Sequence, residues 1–519
     1  MATKLTGINR RHFLASTAAT GLVATGGSLF MPNLSRAADR PMITHGLQSG
    51  DVSGNRAIIW ARADREARML TEIATNPDFT DARMLPHLDV SEATDLAGKL
   101  ELTDLPMGSD VYYRVRFEDL SMPGSEGEAM VGHLRTPSTE KKTVTFGWSG
   151  DTAGQGWGID LDRGGMQTYK TMQAHDFDFF IHSGDTVYCD GPISSEKKMP
   201  NGEIWKNVTT EEKSKVAETL TEFRGNWKYN MLDEHVKAFN AAVPVFYQWD
   251  DHEVLNNWYP GEMLDGDDRY KVKSASLLAA RSNRAFLEMT PIRPNIAEPG
   301  RVYRKVSYGP MIDIFFLDMR TYRNANSKNQ DASPVSFLGN EQVAWLKKAL
   351  KESKATWKIM ASDMPIGLVV GDGDNFENMA NGDGKAAGRE LEFADLLKFI
   401  KDADIKNTVW FTADVHYTAA HYYDPAKAQF QDFAPFWEFV SGPLHAGTFG
   451  PNGKDNTFGI QVMYEKAPTK EQGVNLPPSD GLQFFGKVII DGESEAMTVE
   501  LRDMADAVLY STTLQPEKA

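Results

Sequence analysis

Between Pro41 and about Thr136, short runs that mix apolar and polar positions are separated by turn signals such as Met107-Gly108-Ser109-Asp110. Ala57-Ile58-Ile59-Trp60-Ala61-Arg62 and Val111-Tyr112-Tyr113-Arg114-Val115-Arg116-Phe117 are strand-like, the second partly alternating apolar with charged residues. The spacing predicts a small β-sandwich. Ile43-Thr44-His45-Gly46-Leu47-Gln48 lacks such a pattern and is not expected to form a buried strand. The polar stretch Leu134-Arg135-Thr136-Pro137-Ser138-Thr139-Glu140-Lys141-Lys142 reads as a domain boundary. After Thr143 the pattern changes. Six short apolar runs follow, Val144–Trp148, Phe177–His182, Val243–Trp249, Met311–Leu317, Trp357–Ala361 and Val409–Ala413, with amphipathic stretches such as Asn340–Leu350 between several of them. Buried strands alternating with helices predict an α/β architecture whose sheets are covered on both faces.

The first 37 residues stand apart. Asn9-Arg10-Arg11-His12-Phe13-Leu14 sets paired arginines before a mild apolar run, Leu14 to Phe30, diluted by Thr, Ser and Gly; Ser35-Arg36-Ala37 then offers small side chains to a signal peptidase. This is the layout of a twin-arginine export signal, and it predicts a periplasmic or secreted protein handled by the twin-arginine translocation machinery. The run is too polar for a stable span, and no later stretch reaches the ~18 apolar residues a transmembrane helix needs. Composition adds exclusions. With 519 residues, 41% apolar and 24% charged, the chain has the make-up of a globular protein rather than a disordered or fibrous one. A net charge of −17 argues against a broad basic face for a nucleic-acid backbone. A single cysteine, Cys189, excludes an intrachain disulfide and a cysteine-built zinc site.

Candidate chemistry lies where the six runs end. Each is followed within three residues by aspartate: Asp151, Asp185, Asp250 with Asp251, Asp318, Asp363 and Asp414. Sites in α/β folds form outside the carboxyl ends of strands. Carboxylates gathered there repel one another unless a cation neutralises them. One such aspartate alone reads as a turn or N-cap residue. Two clusters add imidazole, Asp250-Asp251-His252-Glu253 and Asp414-Val415-His416, and together they favour a metal site. Asp-x-His on an extended segment would present two ligands to one metal. Oxygen and nitrogen donors suit Ca, Mn, Zn or Fe alike. Ser-Gly-Asp also occurs at 49–51, but in the predicted sandwich, so Asp51 is set aside.

His182-Ser183-Gly184-Asp185-Thr186-Val187-Tyr188, Trp249-Asp250-Asp251-His252-Glu253-Val254-Leu255-Asn256-Asn257-Trp258, Leu317-Asp318-Met319-Arg320-Thr321-Tyr322-Arg323 and Asp414-Val415-His416 occur in an order that resembles the alkaline phosphatase D (PhoD-like) family of calcineurin-like metallophosphoesterases. The resemblance covers nearly all the chain after the signal. It implies an α/β (α+β) sandwich of sheets flanked by helices, residues 143–519, preceded by a small all-β domain similar to Ig or fibronectin modules, residues 40–137. It also implies an exported phosphoester hydrolase, an alkaline phosphatase acting on small phosphoesters, with Fe(3+) and Ca(2+) as cofactors. On it, Asp185 bridges two metals, Tyr188 gives a phenolate to iron, Asp414 and His416 complete the cluster, and Asp251 and Asn256 are further ligands. His252 would serve the leaving group and Arg320 would clamp phosphate. If a helix begins at the Trp-Asp-Asp-His-Glu motif, Asn256 falls one turn beyond His252 on the same face.

One departure stands out. Many family members carry a Ser-Cys-Gln thiolate ligand where this chain reads Ser149-Gly150-Asp151-Thr152, so Asp151 is the candidate oxygen donor in its place; Cys189, directly after Tyr188, is read as a bystander. Asp372-Gly373-Asp374-Asn375-Phe376-Glu377 resembles the start of a calcium loop, but Phe376 occupies a ligand position. His445 is a loop histidine that either approaches the site or is structural. Segments 190–235 and 367–388 read equally as lids or as surface loops. A phosphodiesterase or phospholipase D-like hydrolase on the same site, and a catalytically dead surface-binding protein, remain the alternative functions.

Overall fold

The computed structural model describes residues 40–518. The twin-arginine segment therefore lies outside the described residues. Among them, no helix is long and apolar enough to cross a membrane.

The chain from 40 to 138 is all β. Strands Ile43–Ser53, Arg56–Ala63 and Ala97–Leu102 form one antiparallel sheet. Ala67–Ala74, Asp110–Asp119 and Met130–Arg135, with the short strands Arg83–Met84 and Leu88–Val90, form a second. Alternation sorts the faces as expected for a half-buried strand: Val111, Tyr113, Val115 and Phe117 point into the core while residues between them are partly exposed. The first strand corrects the sequence reading. Ile43–Ser53 is an 11-residue strand buried from Gly46 to Val52. It is hard to read because its inward residues are polar and find partners far along the chain. Gln48 donates to the Met289 carbonyl and accepts from the Tyr247 hydroxyl, and Asp51 takes an ion pair from Arg304.

Beyond residue 143 all six apolar runs are strands, and they divide between two sheets. Val245–Gln248, Phe179–Ser183 and Val144–Ser149 run parallel in a six-stranded sheet, which the antiparallel strands Phe484–Ile490, Met497–Asp503 and Val508–Leu514 complete. Ile312–Phe316, Trp357–Ala361, Thr408–Thr412 and Phe436–Val440 run parallel in a seven-stranded sheet flanked by the antiparallel Arg304–Tyr308, Thr418–Tyr423 and Ile460–Lys466. The sheets face each other across an apolar layer in which Phe146 and Trp148 meet Phe411 at ring-centroid distances of 5.8 and 4.5 Å. Helices close the outer faces. Gln167–Met172, Leu220–Asn230, Glu234–Ala242 and Ala275–Met289 contribute to the cluster beside the six-stranded sheet. Asn340–Glu352 and Arg389–Asp402 cover the seven-stranded one. Asn340–Glu352 matches the amphipathic stretch read from the sequence, with Val343, Leu346 and Leu350 inward at helical spacing. Residues 40–518 pack as one compact unit, tied by bonds such as Trp60 Nε1 to the Glu288 carbonyl.

Candidate metal centre

All parallel strands of both sheets end on the same side of the sandwich, and the candidate acids leave from those ends. Asp151, Asp185, Asp250, Asp251, Asp318 and Asp363 are buried, and Asp414 is nearly so. The backbone turns sharply to deliver them: Asp151, Asp185, Asp414 and His416 have φ of 66°, 51°, 64° and 59°. Non-glycine residues adopt this left-handed conformation only where surrounding contacts hold them there. Gly184, at φ +98°, is required by crowding, since a Cβ there would sit 2.5 Å from the Asp250 Cβ.

Three sets of donor atoms converge, each within 4.8 Å: Asp151, Asp185 and His416; Asp185, Asp251 and His252; Asp250, Asp251 and Asp414. Asp185 belongs to two sets. The Tyr188 hydroxyl lies 2.9 Å from His416 Nε2, and His416 Nδ1 lies 2.5 Å from the Gly447 carbonyl. Asp414 and His416 therefore serve different sets rather than one, because left-handed turns, not an extended segment, carry them. Nor does a helix begin at the Asp251 motif: residues 251–257 form turns, and Asn256 is an exposed residue lining the cavity, its backbone N–H donating to Asp190.

The donor set suits a cation. Both Asp151 oxygens, Asp250 Oδ2 and Asp251 Oδ1 are buried without a hydrogen-bond partner. Burial, then the negative charge of Asp250, pushes the Asp151 and Asp185 carboxyls well above the usual range; burial and Glu377 do the same to Asp414. Buried carboxylates in this state gain either a proton or a positive partner. Asp185, Asp251 and Asp414 line a cavity of about 510 Å³ whose wall also includes Asn256, Phe449 and Asn452.

Arg320 departs from its expected role as a phosphate clamp. It is fully buried beneath the centre, its fork ion-paired to Asp250, Glu377 and Asp363. Asp414 and Asp251 also lie 3.5 and 3.9 Å from it, so the fully enclosed guanidinium offsets five acids and has no exposed face for a ligand in the cavity. Asp318 accepts from Trp249 Nε1 and from the backbone of Arg320 and Thr321, a turn residue that holds this loop.

His252 lines the cavity and packs against Tyr188 with centroids 4.3 Å apart and the rings tilted by 33°. Its Nδ1 lies 2.7 Å from Asp190 Oδ1. Burial opposes a charge on this ring, yet Asp190 and Asp251 outweigh it and hold its pKa up at about 10. Burial keeps His416 neutral, its pKa lowered to about 4. Sequence reasoning gave no role to Asp190, Glu253 or Glu377. Glu253 is buried and accepts from the backbone N–H groups of Asp185, Thr186 and Asp250, tying the two loops together. Its place inside the Asp-Asp-His-Glu motif was the available signal; Asp190 and Glu377 had none beyond proximity to Asp185 and to the calcium-loop lookalike.

A model of the PhoD-like phosphatase family matches residues 146–501, and one of the PhoD-like N-terminal domain matches 29–138. The chain belongs to the PhoD-like phosphatase family. Alkaline phosphatase D of Bacillus subtilis (strain 168) is 29% identical over 323 residues, which make up 59% of this chain and 52% of that one, so the chain spans about half the length of this relative. A solved structure of PhoD superposes with a TM-score of 0.69 at 22% identity, covering 94% of this chain and 92% of that one. A purple acid phosphatase isolated from yellow lupin (Lupinus luteus) seeds gives 0.52 at 11% identity, over 92% and 74%. These two likenesses establish the fold.

Within this PhoD-like frame the remaining candidates fall clear of the three donor sets. Cys189 is buried in the apolar cluster beside the six-stranded sheet. His445 Nε2 contacts the Gly158 carbonyl. Asp372 accepts from the carboxamides of Asn257 and Asn326 rather than heading a calcium loop. Asp51 stays in the β domain, paired with Arg304. Of the two long segments, 367–388 supplies Val370, Gly371 and Glu377 to the cavity wall, whereas 190–235 supports it from behind through Asp190.

Proposed function

We propose that this chain is an exported, metal-dependent phosphoester hydrolase of the alkaline phosphatase type. The observation that carries the reading is the set of unpartnered buried carboxylate oxygens on Asp151, Asp250 and Asp251, facing Asp185 at the strand ends of both sheets. Asp151, Asp185, Tyr188 and His416 would hold one cation and Asp185, Asp251 and Asp414 a second, with Asn256 beside them at the rim. Oxygen, phenol and imidazole donors without sulfur suit Fe(3+) at the first, and oxygen donors suit Ca(2+) at the second. When bound, such cations polarise the phosphate and lower the pKa of a nucleophilic water.

The chain's own groups do the rest. Asp190 fixes Nδ1 of His252, leaving Nε2 as the proton-bearing atom available to the leaving oxygen. Arg320 holds Asp250 and Glu377 in place from beneath. Residues 1–37 act as the export signal, 40–137 as an accessory Ig- or fibronectin-like module and 143–519 as the catalytic domain. The acid and histidine set is intact, which speaks against a dead binding protein.

A second reading, a phosphodiesterase, has one observation in its favour: among the described residues no lysine or arginine lines the cavity. A monoester dianion adds more negative charge to this acid-rich wall than a diester monoanion does. Assays of nitrophenyl phosphate beside bis-nitrophenyl phosphate, with elemental analysis of the same sample, test both. Hydrolysis of either, with bound metal that chelation removes together with activity, is expected. Turnover that survives complete metal removal would refute the metal-dependent reading. A ferric ion held by Tyr188 would colour the protein through phenolate charge transfer.

For export, changing Arg10-Arg11 to Lys-Lys should leave the enzyme in the cytoplasm, as followed by cell fractionation. Normal export of that variant would mean the paired arginines are not the signal.

A further inference from the structure

Asp151 and Asp185 sit in left-handed backbone at the ends of neighbouring strands, and something must keep both turns in place. Two backbone bonds help, Asp151 N–H to the Gly184 carbonyl at 3.3 Å and Thr152 N–H to the Asp185 carbonyl at 2.8 Å. The side chain of His182 adds a third tie. At the penultimate position of the strand Phe179–Ser183 it is buried, with Nε2 3.2 Å from the Thr152 hydroxyl and Nδ1 3.1 Å from the Thr186 hydroxyl. Thr152 directly follows Asp151 and Thr186 directly follows Asp185. The Tyr169 hydroxyl, 3.0 Å from that of Thr152, closes the polar cluster on its outer side.

We infer that His182 is a positioning residue for the metal centre, a neutral imidazole that staples the Asp151 and Asp185 loops through the two threonine hydroxyls. A neutral ring offers one donor and one acceptor about 2.2 Å apart, which two hydroxyls of adjustable direction can both satisfy. Burial keeps the ring in that form, its pKa lowered to about 3. Groups that orient metal ligands from behind are worth roughly 10–100-fold in metal affinity, and His182, acting one residue removed from the ligands, belongs at the lower end.

The inference rests on the metallohydrolase reading, so its test reads metal rather than turnover. Full-length wild type, His182→Phe, His182→Gln, the pair Thr152→Val with Thr186→Val, and the triple variant would be dialysed against graded chelator, and retained metal measured by elemental analysis. His182→Phe should lose metal at about tenfold lower chelator strength. His182→Gln, whose amide places a donor and an acceptor at similar separation, should recover most of the difference. The threonine pair should behave like His182→Phe, and the triple variant should be no worse than either. Additive losses, or wild-type retention in His182→Phe, would overturn the inference while leaving the hydrolase reading intact. A wild-type chain that takes up no metal would remove both. If His182→Phe does not fold, the threonine pair and His182→Gln carry the same comparison: wild-type retention in the threonine pair overturns the staple.

Discussion

Replacing Asp185 by Asn is expected to lower turnover by well over tenfold while the chain remains folded. Asp185 stands in two of the three donor sets and is 1% exposed, so its charge is available to both. Asparagine keeps the volume and one acceptor for the His252 N–H, now 3.2 Å from Oδ1, but it removes the negative charge that would hold two cations together. The same substitution should raise the melting temperature of the metal-free protein. Burial and the neighbouring charge of Asp250 oppose ionisation of Asp185, and a neutral amide relieves that cost. Kinetics on nitrophenyl phosphate, elemental analysis and melting curves with and without chelator measure all three effects. Activity above about a tenth of wild type with a full metal complement would take Asp185 out of the bridging position.

Arg320→Met should be the most destabilising single change in the catalytic half, costing about 3–5 kcal/mol. The guanidinium has zero exposure and is ion-paired to Asp250, Asp363 and Glu377, with Asp414 and Asp251 at 3.5 and 3.9 Å, so removing it strands five acids. Arg320→Lys keeps a charge but loses the fork, and should fall between methionine and wild type. The pH dependence has a definite sign. Burial already raises the carboxyls of Asp363 and Glu377 above their unfolded values while Arg320 pulls them down, so without Arg320 they rise further. Their protonated forms then support the fold at low pH, and that support disappears as pH rises. The gap in urea midpoint between wild type and Arg320→Met should therefore be widest at neutral and alkaline pH and shrink on acidification. A gap that stays constant or widens on acidification would mean that lost packing, not stranded charge, is the cause.

Much of the catalytic half was legible because its strands are buried on both faces. Runs such as Trp357–Ala361 and Val409–Ala413 carry that burial in their composition, and the aspartates that follow mark the functional edge. Asp-Asp-His-Glu and Asp-Val-His were informative because they are local. What eluded the sequence was set by contacts between distant segments. Ile43–Ser53 is buried although Gln48, Ser49 and Asp51 are polar, since residues beyond 240 satisfy Gln48 and Asp51. Arg320 looked like a ligand-binding fork, but nothing local says that Glu377 and Asp363 will reach it first. Asp414 and His416 fall in different donor sets and not in one, because the local pattern does not reveal two left-handed residues in three.

The pairing of Val144–Ser149 with Phe484–Ile490 has a consequence for the order of assembly. The strand that delivers Asp151 lies between Phe179–Ser183 and a strand from the far end of the chain, with Phe146 opposite Val488. A chain still emerging from the ribosome thus has an open edge beside Asp151 until residues 484–490 are made. Neither sheet contains the whole centre, so its donor sets come together only once residues 484–490 have been made and the sheets have closed on each other. A truncation before residue 484 should forfeit the centre as a whole, not merely trim a surface strand.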